Sequence, residues 1–125
     1  MDRAAGQNFC YRTALWTGNF LQVTLMSIPA GGDVGLEMHS DFDQFLRIEE
    51  GCALVLMGQN EMQLNIRKQV NGSSAIMIPA GTWHNIINTG RMPLKLYSVY
   101  GPPHHPHGTV HRTKRDAELQ EQKGY

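Results

Sequence analysis

The chain has no surplus of either charge: 11 Lys and Arg stand against 11 Asp and Glu, for a formal net charge of zero. Without a basic stripe or patch there is no electrostatic footprint for nucleic acid or an anionic membrane, and neither partner is expected. Long apolar runs are also missing. No stretch approaches the roughly 18 residues of a membrane span, and the first residues, MDRAAGQNFCYR, lack the apolar segment of a secretory signal, so a cytoplasmic location is expected. Cysteine is scarce. Cys10 and Cys52 are far apart and fit no metal or redox spacing, which makes them small buried apolar residues or free thiols. Internal repeats and low-complexity segments are absent, and no helical period shows before residue 110.

What is present reads as β-structure. With 125 residues and 41% apolar content, the chain can bury a core as one domain, 1–125, without disulfide staples. Phe9–Trp16 and Phe20–Pro29 are rich in aromatic and β-branched residues and flank a Thr17-Gly18-Asn19 turn. Further strands are expected over Leu36–His39, Gln44–Glu49, Ala53–Met57, Met62–Val70, Ala75–Ile78, Trp83–Asn88 and Leu94–Tyr100, bounded by turn residues such as Asn71-Gly72. About nine short strands at regular spacing argue for a sandwich or barrel. Met62, Leu64 and Ile66 would form one apolar face, whereas Cys52–Met57 is apolar on both faces and would be covered twice, the second time by a dimer partner. Residues 1–8 read as a loose arm or an edge strand given to a partner.

The last quarter differs in kind. Three prolines in Gly101-Pro-Pro-His104-His105-Pro-His107-Gly108 prevent a strand from continuing. Thr113 followed by Asp116 resembles a capping box, so a short helix is expected over Lys114–Gln122. The barrel core would then span about 9–103, with the Pro/His-rich tail and helix over 104–125.

Chemistry concentrates between Gly31 and Gly51. Side chains alternate along a strand, so Glu37 and His39 point the same way, and Gln44 can return across a short bend to meet them. A second segment, Pro79 to Asn88, delivers His84 after a Pro/Gly turn. Imidazole nitrogens with carboxylate and amide oxygens, and no thiolate, suit a divalent transition metal such as Zn, Mn, Fe, Co or Ni.

These two segments resemble the paired motifs of the cupin superfamily. Gly31, Glu37, His39, Gln44 and Gly51 keep the spacing G-x5-H-x-H-x3/4-E-x6-G, with Glu37 in place of the first His and Gln44 in place of the Glu. Pro79, Gly81, His84 and Asn88 match G-x5-P-x-G-x2-H-x3-N, although Gly72 stands one residue too far upstream. The two ligand exchanges leave the negative charge of the set unchanged. The resemblance implies an all-β fold, the cupin double-stranded β-helix or jelly-roll barrel, with Glu37, His39, Gln44 and His84 as metal ligands and a homodimer as the common assembly. The run from Gly101 to Ala117 is similar to the tails of small stand-alone cupins described as mannose-6-phosphate isomerase-like. That points to a metal-dependent, isomerase-like enzyme acting on a small sugar or hydroxy-carbonyl substrate. A cupin dioxygenase and a non-catalytic module binding a sugar or other small metabolite are the alternatives. His104 and His105, on a tail leaving the last strand near the barrel mouth, are candidate catalytic bases, with Tyr97 behind them. Arg47 lies an odd number of residues from Gln44 and should point away from the metal, which argues against a phosphorylated substrate.

Overall fold

The structure is a computed structural model and describes residues 2–122. Its elements run α1 (Asp2–Gln7), β1 (Arg12–Thr17), β2 (Gln22–Ile28), β3 (Asp43–Glu50), β4 (Cys52–Gly58), β5 (Ile66–Asn71), β6 (Ala75–Ile78), β7 (Trp83–Asn88), β8 (Leu94–Gly101), β9 (Val110–His111) and α2 (Lys114–Gln122). A six-stranded antiparallel sheet in the order β6-β3-β8-β2-β1-β9 faces a three-stranded one in the order β5-β4-β7. This is the expected jelly roll with its short terminal helix.

Strand alternation decides what lies between the sheets. In β3, Gln44, Leu46 and Ile48 are buried, while Phe45 and Arg47 between them are half-exposed. Directly paired residues share a face, so Leu46 opposite Ser98 and Ile48 opposite Leu96 extend this inner surface onto β8. The interior has two chemically different ends. At one, Ile28, Ile48, Leu94 and Leu96 pack against Ala53, Val55 and Ile86 of the smaller sheet, each large side chain contributing about 1.5–3 kcal/mol by leaving water. At the other, Gln22, Thr24, Gln44, Ser98 and Tyr100 are equally buried but polar. Burying polar groups is unfavourable unless they find partners.

Three expectations are corrected. The described part of the N-terminal arm is a short helix, α1, which packs its fully buried Ala5 onto the outside of the larger sheet beside β8; the buried Lys95 ammonium meets the carbonyl of Asn8 at its end. Leu36–His39 is not a strand. It makes a single bridge, Glu37 with His84, because the chain turns again at Ser40–Phe42. The strand expected from Met62 begins only at Ile66, since Asn60 accepts a hydrogen bond from the Met62 N–H and so holds the segment in a turn; Met62 is 86% exposed rather than on a core face. Of the two readings of the cysteines the free thiol holds: Cys52 is exposed and Cys10 half-buried, both free.

The Pro/His tail is not loose. It returns to the larger sheet as β9, pairing Arg12 with His111, and then enters α2 through a reciprocal cap. The Thr113 hydroxyl accepts from the Asp116 N–H at 3.2 Å, and the Asp116 carboxylate accepts from the Thr113 N–H at 3.3 Å. Among the described residues no helix is long and apolar enough to cross a membrane.

Candidate metal centre

Backbone pairing brings the first donors together. Glu37 and His84 exchange both main-chain hydrogen bonds, at 3.0 and 2.9 Å, which sets their side chains on one face; His39, two residues on, shares it. The Glu37 carboxylate lies 3.4 Å from His39 Nε2 and 3.6 Å from His84 Nε2, and the three ligand atoms fall within 4.8 Å of one another. Gln44 comes from β3 to line the same cleft. Its Nε2 donates to Ser98 Oγ at 3.2 Å, which leaves Oε1 buried without a partner.

The tautomer of His84 follows from its other nitrogen. Nδ1 lies 3.1 Å from the Thr82 carbonyl, which can only accept, so Nδ1 carries the proton and Nε2 turns a bare lone pair toward Glu37. Two acceptors facing each other, beside an orphaned amide oxygen, form an arrangement that a cation completes. The donors therefore fit the metal that the spacing implies. Burial alone would raise the Glu37 carboxyl, but the hydrogen bond and charge of His39 oppose it and hold the group below the usual carboxylate range.

The tail covers this group. His39 stacks on Phe42 at 4.4 Å, and the His104 ring sits 5.1 Å from His39 and 4.7 Å from Phe42. Burial on that side, with His39 and Arg12 nearby, lowers the His104 pKa, so its imidazole is neutral at pH 7 and able to accept a proton. His105 is buried behind it, 4.6 Å away, its pKa lowered first by burial and then by Arg12. The structure does not bring Tyr97 to the group. It pairs with Arg47 on the outer face of the larger sheet and packs toward Phe45 at 6.3 Å.

Residues that the sequence did not single out hold the arrangement. Tyr100, paired with Gln44 and so facing inward, contacts Phe42 and His105 edge-on, and burial raises its pKa. Gln22 clamps the tail: its Oε1 accepts from the N–H groups of His104 and His105, at 3.2 and 2.9 Å, and its Nε2 donates to the His105 carbonyl at 2.7 Å. Arg12 is a buried cation at the same end of the barrel. Inward position in the strand register was the available signal for all three.

Residues 24–100 match the family model described as Cupin domain. The chain belongs to the cupin family. This cupin is 60% identical over 117 residues to the protein YrkC of Bacillus subtilis (strain 168), a match covering 94% of the chain and 63% of YrkC. It is 40% identical over 105 residues to the protein L612 of Acanthamoeba polyphaga mimivirus, covering 83% of the chain and 64% of L612. The cupin thus spans less than two thirds of the length of these curated relatives. Its fold superposes on the crystal structure of BH2720 from Bacillus halodurans with a TM-score of 0.94 at 57% identity, covering 94% of this chain and 89% of that one.

Proposed function

We propose that this cupin holds one divalent transition-metal ion through Glu37, His39, Gln44 and His84 and is an isomerase-like enzyme acting on a small sugar or other hydroxy-carbonyl compound. The observation that carries the reading is the unsatisfied acceptor set, Gln44 Oε1 together with His84 Nε2 facing the Glu37 carboxylate. When bound, the ion supplies Lewis acidity that polarises a substrate carbonyl. His104 is the base: its neutral ring lies over His39 and accepts the proton from the carbon beside that carbonyl. His105 supports it from behind, and Gln22 fixes the backbone of both. His104 and Phe42 close over His39, so the Pro/His tail covers the metal centre.

Metal analysis tests the first half. Protein reconstituted with Zn, Mn, Fe or Ni is expected to retain about one ion per chain, and His84→Ala to retain far less. Retention of none by the parent, or equal retention by the variant, overturns the site. Incubation of candidate sugars in heavy water tests the second half. Metal-dependent deuterium uptake beside the carbonyl is expected, and its loss in His104→Ala. Two histidines with one carboxylate also form the donor set of non-haem iron oxygenases, so dioxygenase is the second reading. Substrate-dependent oxygen consumption without exchange would select it, and saturable binding without either reaction would select a metabolite-binding module.

A further inference from the structure

Arg12 is the first residue of β1 and pairs with Met26 on one side and His111 on the other, an inward-facing register that leaves it only 5% exposed. One terminal nitrogen of its guanidinium lies 3.2 Å from His111 Nδ1. Guanidinium only donates, so that ring nitrogen accepts, and the proton of His111 sits on Nε2, where the Gln120 side-chain oxygen takes it. His111 is therefore a neutral partner. Nε of Arg12 is buried with no hydrogen-bond partner, and no carboxylate pairs with Arg12 among the described residues. Glu37 is turned toward His39 and His84, and Lys114 takes Asp33.

A buried arginine without an anion is costly, because the Tyr11 ring 5.3 Å from its guanidinium carbon offsets the desolvated charge only in part and one donor stays unfilled. Part of the Arg12 side chain also lines open space. A cavity of about 230 Å³ lies between the 34–37 segment and α2, lined by Arg12, Tyr11, Leu36, Glu37 and Lys114. One wall of this space therefore carries the metal-site carboxylate and another carries the guanidinium. A guanidinium with an unfilled donor matches a carboxylate, the anion whose two oxygens fit its planar fork.

We propose that Arg12 anchors a carboxylate on the ligand that enters beside Glu37, which narrows the substrate to a small hydroxy-carbonyl compound bearing an acid group. The proposal rests on the metal-centre reading for the place of the reacting end, while the anion subsite itself stands on Arg12 alone. It accounts for a cation kept inside the barrel of a protein with no net charge, and for a tail that returns as β9 to fix it through His111.

Lactate and its neutral counterpart lactamide differ only at the acid group, and calorimetric binding of each to the full chain, with and without metal, tests the subsite. The parent is expected to prefer lactate. Arg12→Gln should weaken lactate by about tenfold or more while changing lactamide by less than about twofold. Arg12→Lys, which keeps the charge and loses the fork, should fall between the two and covers the case in which the glutamine variant does not fold. Equal losses for both ligands, no loss for lactate, or no preference in the parent would overturn the subsite. Tighter binding of inorganic phosphate than of lactate would overturn the assignment to carboxylates. Metal content is measured on the same samples, so a parent that binds lactate through Arg12 but retains no metal refutes the metal reading and leaves the subsite standing.

Discussion

Ser73 carries a backbone conformation that its side chain disfavours: its φ is 75°, in the left-handed region. It stands six residues before Pro79, where the second cupin motif has its glycine, and the neighbouring Gly72 does not take that role. The turn is held at this position because the Ser73 N–H donates to the Ile48 carbonyl at 2.7 Å. Ser73→Gly is therefore expected to stabilise the fold by about 0.5–1 kcal/mol, the relief of left-handed strain less the added freedom of the unfolded glycine. Urea unfolding of parent and variant checks this, and a destabilised variant would show that the serine side chain contributes more than its strain. Spacing thus located the turn even where residue identity did not. The same was true of Gln44, which keeps the ligand position with a different donor and, by giving its amide nitrogen to Ser98, leaves its oxygen free. Tyr97 shows the converse. Chosen for its chemistry, it lies at an odd offset from the inward-facing Tyr100, and alternation alone places it outside.

At the scale of elements, α2 is attached by polar contacts at its first turn as well as by Ala117, which is buried in the core. Lys114 Nζ lies 2.5 Å from Asp33 Oδ1, and Asn85 donates to the other oxygen at 3.0 Å. The hydrogen bond from Lys114 is the largest influence and lowers the Asp33 pKa, against the opposing effect of burial. A carboxyl with a depressed folded pKa contributes stability that is complete above its unfolded value, near 3.9, and disappears as pH falls through the folded value. Asp33→Asn should therefore be less stable than the parent at pH 6, by no more than about 1 kcal/mol because the pair is partly solvated, and the difference should shrink below about pH 4. Denaturation midpoints at both pH values would show a constant gap if the contribution were packing instead. The cap of α2 was legible because Thr113 and Asp116 are local. Helix α1 was not, since six residues cannot hold a helix by themselves and this one exists through Ala5 and the sheet beneath it. The missing strand at Leu36–His39 has a similar origin: alternation placed Glu37 and His39 on one face, which is what the site requires, but sequence could not show that only one bridge would form.

At the scale of the whole molecule, the apolar surface lies elsewhere than the sequence suggested. The outer side of β4 is partly covered by its own chain, since residue 63 passes directly over Gly58, and α1 folds back on its own sheet. Bare apolar groups line a groove on the outside of the larger sheet. Met77 is 70% exposed, and a groove of about 530 Å³ runs between Leu21, Phe45, Met77, Pro79 and Val99. An exposed apolar groove marks an interaction surface, and a two-fold contact between copies covers the same groove on both at once. The homodimer expected from the cupin resemblance is therefore expected here, through β3, β6 and β8, burying at least about 1,000 Å² in total. Light scattering at micromolar concentration should give twice the chain mass of 14.0 kDa for the parent and a monomer for Met77→Glu, whose charge would be desolvated at the contact. Metal content of the variant should be unchanged, because Met77 faces away from the interior that Ile76 and Ile78 enter. A monomeric parent, or a dimer indifferent to Met77→Glu, would remove this face from consideration.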